Sequence, residues 1–246
     1  MDILKKRPFG ATDPGYLECE KRWVYFLLMM SAGILGAFTY NIRGGVFCNA
    51  QTGNFVLFAM ALGKGNWSNA IYYLIPMSAY LAGAIISEWL PEKVNKLHLF
   101  RWDTVLISTE IVAIIILGFI PESAPYQISQ ITINFICSMQ YNTFRQSQRV
   151  PMATTFCTNH VRQLGIHLVM WFTDRTNKSS LQRVLVHITM LGFFVIGGIV
   201  STVLCGYFYG KAIWSAAVLL GIILVALMHA DLTKEKNKFS QKPAGH

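Results

Sequence analysis

Six stretches of this chain stay apolar long enough to cross a bilayer, with polar or charged residues breaking the pattern between them. They cover residues 23–41, 70–90, 102–120, 126–144, 184–206 and 212–229, each close to the roughly 20 residues a helix needs to cross about 30 Å of hydrocarbon. The pattern predicts an all-α, polytopic bundle. Pro91, Pro121 and Pro125 mark exits, and Trp23, Trp89, Trp102 and Trp214 fall near segment ends, where an interfacial aromatic belt is expected. Two further stretches break the rule. Residues 52–62 are apolar but only eleven long, and residues 154–172 carry His160, Arg162 and His167. Each follows a polar, basic approach. Both are expected to enter the membrane and turn back as partial helices.

The basic residues decide between dipping and crossing. If both short stretches dip, seventeen Lys and Arg lie on the side of the N-terminus, three lie opposite, and Arg162 sits within a dipping segment. If both cross, the split falls to thirteen against seven. The six-span arrangement obeys the positive-inside rule far better, with both termini cytoplasmic. It divides the chain into a tail (1–22), a first unit (23–120), a second unit (126–230) and a polar tail (231–246), whose residues 234–246 are expected to be disordered.

The two units resemble each other. Displaced by 106 residues, Arg43 falls on Arg149, Phe38 on Phe144, Thr52 on Thr158 and Leu62 on Leu168. The turn Gln51-Thr52-Gly53-Asn54 faces Cys157-Thr158-Asn159-His160. A displacement of 114 aligns residues 78–87 with 192–201. Three full crossings and one partial one per unit would leave the second copy upside down, the inverted-repeat plan of many secondary transporters.

Composition supports the membrane reading. Of 246 residues, 53% are hydrophobic and 13% charged, against about 25% charged in soluble domains. The net charge of +9 sits in tails and loops, and no nucleic-acid-binding motif accompanies it, so nucleic acid is not an expected partner. The five cysteines form no CxxC pair and read as packing residues. The residues after Lys5, Lys6 and Arg7 are too polar for a cleavable signal peptide. No HExxH, GxSxG, Walker A or GxGxxG motif is present, so neither an enzyme nor a cofactor or metal is expected.

The stretch GGVFCNAQTGNF (44–55), with QYNTFRQ (140–146) and ATTFCTNH (153–160), resembles the YoaK-type, DUF1275-like family of bacterial inner-membrane proteins. The resemblance covers about residues 22–230 and implies a multi-spanning inner-membrane protein without supplying a substrate. The family's second element usually reads TTFMTGNL, where this chain has Asn159-His160 in place of Gly-Asn.

Candidate chemistry gathers at the two turns. Asn49, Gln51, Thr52, Gly53 and Asn54 would open one half-helix, and Thr155, Thr158, Asn159 and His160 the other. Thr52 or a neighbour would act as cap, and the free N–H groups would favour an anion or carboxylate. The bland reading is that these residues only satisfy broken backbone. Gln127, Gln130 and Asn134 share a helix face, and with Gln140 and Asn142 they either hydrogen-bond between helices or line a pathway. Glu110, amid apolar neighbours, is either a proton-coupling carboxyl or a structural partner. Arg43, Arg149 and Arg162 would gate, contact headgroups or merely anchor. Gly83, Ala84, Gly197 and Gly198 suit close helix packing. The expected partners are the bilayer and a small solute, and a homo-oligomer is left open. The leading functional expectation is an alternating-access transporter or exporter. The alternative is a membrane protein that binds a lipid or partner without transport.

Overall fold

A computed structural model describes residues 15–239, 241 and 243. Lys5, Lys6, Arg7 and Lys242 therefore lie outside the described residues. The chain is all-α apart from one two-stranded hairpin. Its helices are α1 (Arg22–Ile42), α2 (Gln51–Gly63), α3 (Trp67–Trp89), α4 (Pro91–Asn95), α5 (Trp102–Phe119), α6 (Tyr126–Thr143), α7 (Thr158–Thr173), α8 (Lys178–Phe208) and α9 (Trp214–Leu232). Strands β1 (Gln146–Ser147) and β2 (Val150–Pro151) pair between α6 and α7.

Four helical stretches are long and apolar enough to cross a membrane: Arg22–Ile42, Trp67–Asn95, Trp102–Phe119 and Lys178–Leu232. The last runs for 55 residues and holds α8 and α9 with a tight turn between them. Helix α6 matches α5 in length, but Gln127, Gln130, Asn134, Gln140 and Asn142 dilute its apolar run, so it is not among the four. At 1.5 Å per residue, α2 and α7 reach only about 20 and 24 Å, short of a crossing.

The lipid-facing surface is visible in the exposed side chains. Leu81 and Ile85 on α3, Val195, Ile199 and Val203 on α8, and Val218, Ile222 and Val225 on α9 recur at helical spacing and stay uncovered. Such continuous apolar faces would be an aggregation liability in water and are the expected exterior in a bilayer.

Helix α1 packs along α8, and α6 packs along α3. Helix α2 folds back on α3, as α7 does on α8, and α5 packs on α9. The two hairpin turns use the same cap: Asn66 Oδ1 accepts from Asn69 N, and Asn177 Oδ1 accepts from Ser180 N, each at 3.1 Å. Close approach rests on small residues. A Cβ on Gly197 would run into the Met30 carbonyl of α1, and one on Gly83 into the Phe135 carbonyl of α6.

Two expectations are corrected at the end of the bundle that carries both tails. Residues 234–239 are not a loose tail. Arg101, fully buried, donates to the carbonyls of Lys238 (2.8 Å) and Gln241 (3.1 Å) and pairs with Asp103 at 3.3 Å. Glu235 accepts from Glu18 N at 2.6 Å, and Asp231 accepts from Arg101 N and Thr104 Oγ1. These interactions clasp the segments just before α1 and just after α9 onto the start of α5. Burial pushes the Glu235 carboxyl above its ordinary range, opposed by the Glu18 N–H and the Arg101 guanidinium. Trp102 likewise leaves the expected belt: it is buried and donates from Nε1 to Thr143 Oγ1 at 2.8 Å.

Gly197→Leu is expected to lower unfolding stability in detergent by about 1–3 kcal/mol through overpacking against α1. Gly192→Leu, whose position meets nothing within 4 Å, should change stability by less than about 0.5 kcal/mol. Thermal unfolding followed by intrinsic fluorescence measures both.

Candidate functional site

The first turn enters between α1 and α6. Gly44 has a φ of +84°, and a Cβ there would strike Tyr72 Oη, so the reversal at this point needs glycine. Asn49, buried, donates to the Ala32 carbonyl of α1 at 3.1 Å. Gln51 donates to Asn134 Oδ1, half-way along α6, at 2.8 Å. Asn134 in turn donates to the Gln130 carbonyl. Asn54 is fully buried. Its Nδ2 donates to the Phe47 carbonyl at 2.8 Å, and its Oδ1 accepts from the Phe47 N–H at 3.3 Å. One side chain therefore satisfies both backbone groups of a residue in the turn. Gly53 lies against the Phe47 ring.

The second turn repeats this bond with different chemistry. His160 bonds the Ala153 carbonyl through Nε2 at 2.7 Å. Asn54 and His160 are 106 residues apart, and so are Phe47 and Ala153. The displacement read from the sequence thus matches an equivalent bond at each turn. Gln140 donates to the Thr154 carbonyl at 3.4 Å, and Thr155 is buried beside it in the chain. The expected caps are absent. Ala50 and Cys157 precede α2 and α7, neither helix has a side-chain cap, and Thr52 and Thr158 are exposed. Asn54 and His160 reach back to the approach loop instead, which needs a partner more than the helix end does.

The first turn bonds to α1 and α6, and the second to α6 and α8. Beside the second lies an open pocket of about 560 Å³, lined by Asn142, Arg145, Ala153, Thr158, Asn159 and Arg162 among others. Arg162 donates to Asn159 Oδ1, and Arg145 pairs with Glu88. The pocket thus joins two guanidinium groups, amides and a helix N-terminus, an arrangement that suits an anion. Its lining includes neither Gln51 nor its neighbours through Asn54.

The remaining candidates separate. Arg43 is buried, donates to the Ile120 carbonyl at 3.2 Å and lies 5.7 Å from the Phe38 ring centroid. It ties α1 to the end of α5, an enclosed place unlike a headgroup contact. Arg149 is exposed, lies in the left-handed region at φ +65° and faces the Tyr16 ring. Glu110 is fully buried, and both its oxygens lack a hydrogen-bond partner. Its structural-pair reading therefore finds no partner among the described residues.

One residue escaped the sequence reading. His187 of α8 lies 3.0 Å from His160, Nδ1 to Nδ1, and its ring is parallel to that of His167 at 6.2 Å between centroids. A lone histidine in an apolar helix was the available signal. Its partners became identifiable only once α7 folded back on α8.

Asn54→Ala should orphan both Phe47 backbone groups. It is expected to destabilise by about 2–4 kcal/mol in chemical unfolding, since each unpaired buried group costs about 1–3 kcal/mol. Thr52→Ala should change stability by less than about 0.5 kcal/mol.

A profile of the family described as "Protein of unknown function (DUF1275)" matches residues 24–226. No curated protein and no solved structure matches the chain.

Proposed function

We propose, from the premise that the chain belongs to the DUF1275 family, that it is a carrier of a small anionic solute. In this reading six crossings form two inverted halves in the cytoplasmic membrane, both termini are cytoplasmic, and access to the solute site alternates between the two faces. The mirrored helix pairings support the two halves: α1 on α8 answers α6 on α3, α2 on α3 answers α7 on α8, and α5 pairs with α9. The lengths of α2 and α7 support their turning back. Seventeen basic residues on one side against three on the other support the orientation.

The observation that carries the solute reading is the pocket at the second turn, where Arg145 and Arg162 flank the uncapped start of α7. A compact carboxylate or phosphate would meet charge-assisted donors there. Gln51, Asn134 and the first turn would serve the opposite access state. Glu110 supplies the coupling. An enclosed carboxyl without partners is stable only when neutral, so ionising it requires the bundle to open or rearrange around it.

Purified protein in proteoliposomes, offered a panel of small carboxylates and phosphates, should take up or release at least one of them. A pH gradient should change the rate severalfold. Glu110→Gln should weaken the response of the transport rate to the pH gradient while leaving solute-dependent thermal stabilisation in place. If no solute moves and none stabilises the protein, the carrier reading fails, leaving a membrane protein that binds a lipid or partner without transport. An unchanged pH response in Glu110→Gln would remove the role given to that carboxyl.

A further inference from the structure

Three histidines meet inside the bundle, and among the described residues no acidic group accompanies them. His160 and His187 are fully buried and His167 nearly so, on the facing helices α7 and α8. Their hydrogen bonds fix where the protons sit. The Ala153 carbonyl can only accept, so His160 Nε2 carries a hydrogen and donates to it at 2.7 Å. Neutral His160 then has a bare Nδ1. The 3.0 Å contact between the two Nδ1 atoms requires one hydrogen, which must come from His187. His187 Nε2 is left bare, buried and without a partner, and Nδ1 of His167 is a second buried ring nitrogen without a partner.

We propose that His160, His167 and His187 form a proton-binding site in the membrane domain, with His187 Nε2 as the atom that receives the proton. The step balances without a further reactant. A hydronium ion that reaches the site gives its proton to His187 Nε2 and leaves as water, the Nδ1 hydrogen of His187 can pass to Nδ1 of His160, and the positive charge is shared between the two rings. His160 keeps its Nε2 hydrogen bond to Ala153 throughout. His167 stacks parallel to His187, with its ring centroid 6.2 Å away.

The surroundings are sparse in charge. Arg183, one turn before His187 on α8, is the fixed charge that acts on His167 and His187. Helix α1, on another side of α8, carries no ionisable side chain of formal charge after Arg22. On α7, Arg162 is exposed and donates to Asn159.

The site adjoins the anion pocket. Ala153, which accepts from His160, and Asn159, the residue before it, both line that pocket. A proton on the histidines adds positive charge behind the wall an anion would touch, so proton and anion should favour each other. This link to transport rests on the carrier reading. The proton site does not, and it is tested without transport.

Full-length protein labelled with 15N in its histidine side chains, held in lipid nanodiscs, should be titrated from about pH 8 to about pH 4, through and below the range where histidine charge ordinarily changes. In the neutral form, His160 should show a hydrogen on Nε2 and His187 a hydrogen on Nδ1. On acidification the His187 Nε2 resonance should move to the protonated position, and the His160 resonances should follow with the same midpoint. His187→Gln should shift the His160 midpoint or abolish its titration. His160→Gln, which keeps a side-chain donor for Ala153, should leave His187 titrating alone. A His187 Nε2 that stays unprotonated throughout, or midpoints of His160 and His187 that differ and ignore each other's substitution, would overturn the proposal.

Discussion

A chain that reverses inside an apolar medium must find a partner for each backbone N–H and C=O that it takes out of the helix, because no water is there to supply one. Before α2 and before α7 the protein closes a turn in this manner, with one side chain each time. Asn54 returns to Phe47 and engages both its N–H and its C=O, while His160 returns to the carbonyl of Ala153. Without such returns neither α2 nor α7 could begin where it does. From these turns α2 packs back on α3 and α7 on α8, with Thr52 and Thr158 exposed.

The surrounding helices hold the turns in place. Gly197 brings α8 against the backbone of α1, and Gly83 brings α3 against α6. Amides on α6 then supply what an aliphatic helix would not: Asn134 accepts from Gln51, and Gln130 donates to the Arg43 carbonyl at 2.7 Å. The polarity that keeps α6 out of the most apolar helices is therefore put to use by the first turn. Beside the second turn a pocket opens next to Arg145 and Arg162. Half-exposed Cys157 and buried Cys48 reflect the same asymmetry.

Helix positions were legible in the sequence because each apolar run is bounded by proline, glycine or charge. Residues 70–90 became Trp67–Trp89, and 126–144 became Tyr126–Thr143. The equivalence of Asn54 and His160 was legible too, since a fixed displacement aligns them. The tail was not. Charged residues after residue 230 read as solvated, yet Arg101 gathers Asp103, Glu235 and two backbone carbonyls into a buried cluster that only the assembled bundle brings together. Trp102 read as an interfacial residue for want of knowing that Thr143 would stand opposite its indole N–H. The caps were misplaced because the sequence marks polar residues near a helix start without saying which of them faces inward. His187 was missed for a related reason: its partners lie on α7, and no local pattern announces a contact between helices.

The central claim is that two half-helices enter from opposite faces and turn back. Its most direct measurement is labelling of single cysteines with a membrane-impermeant thiol reagent in a Cys157→Ser background. Lys64→Cys reports the turn between α2 and α3, and Ser179→Cys the start of α8; both positions are exposed. Lys64→Cys should react only in right-side-out vesicles and Ser179→Cys only in inside-out vesicles. Reaction of both from the same side would contradict the account.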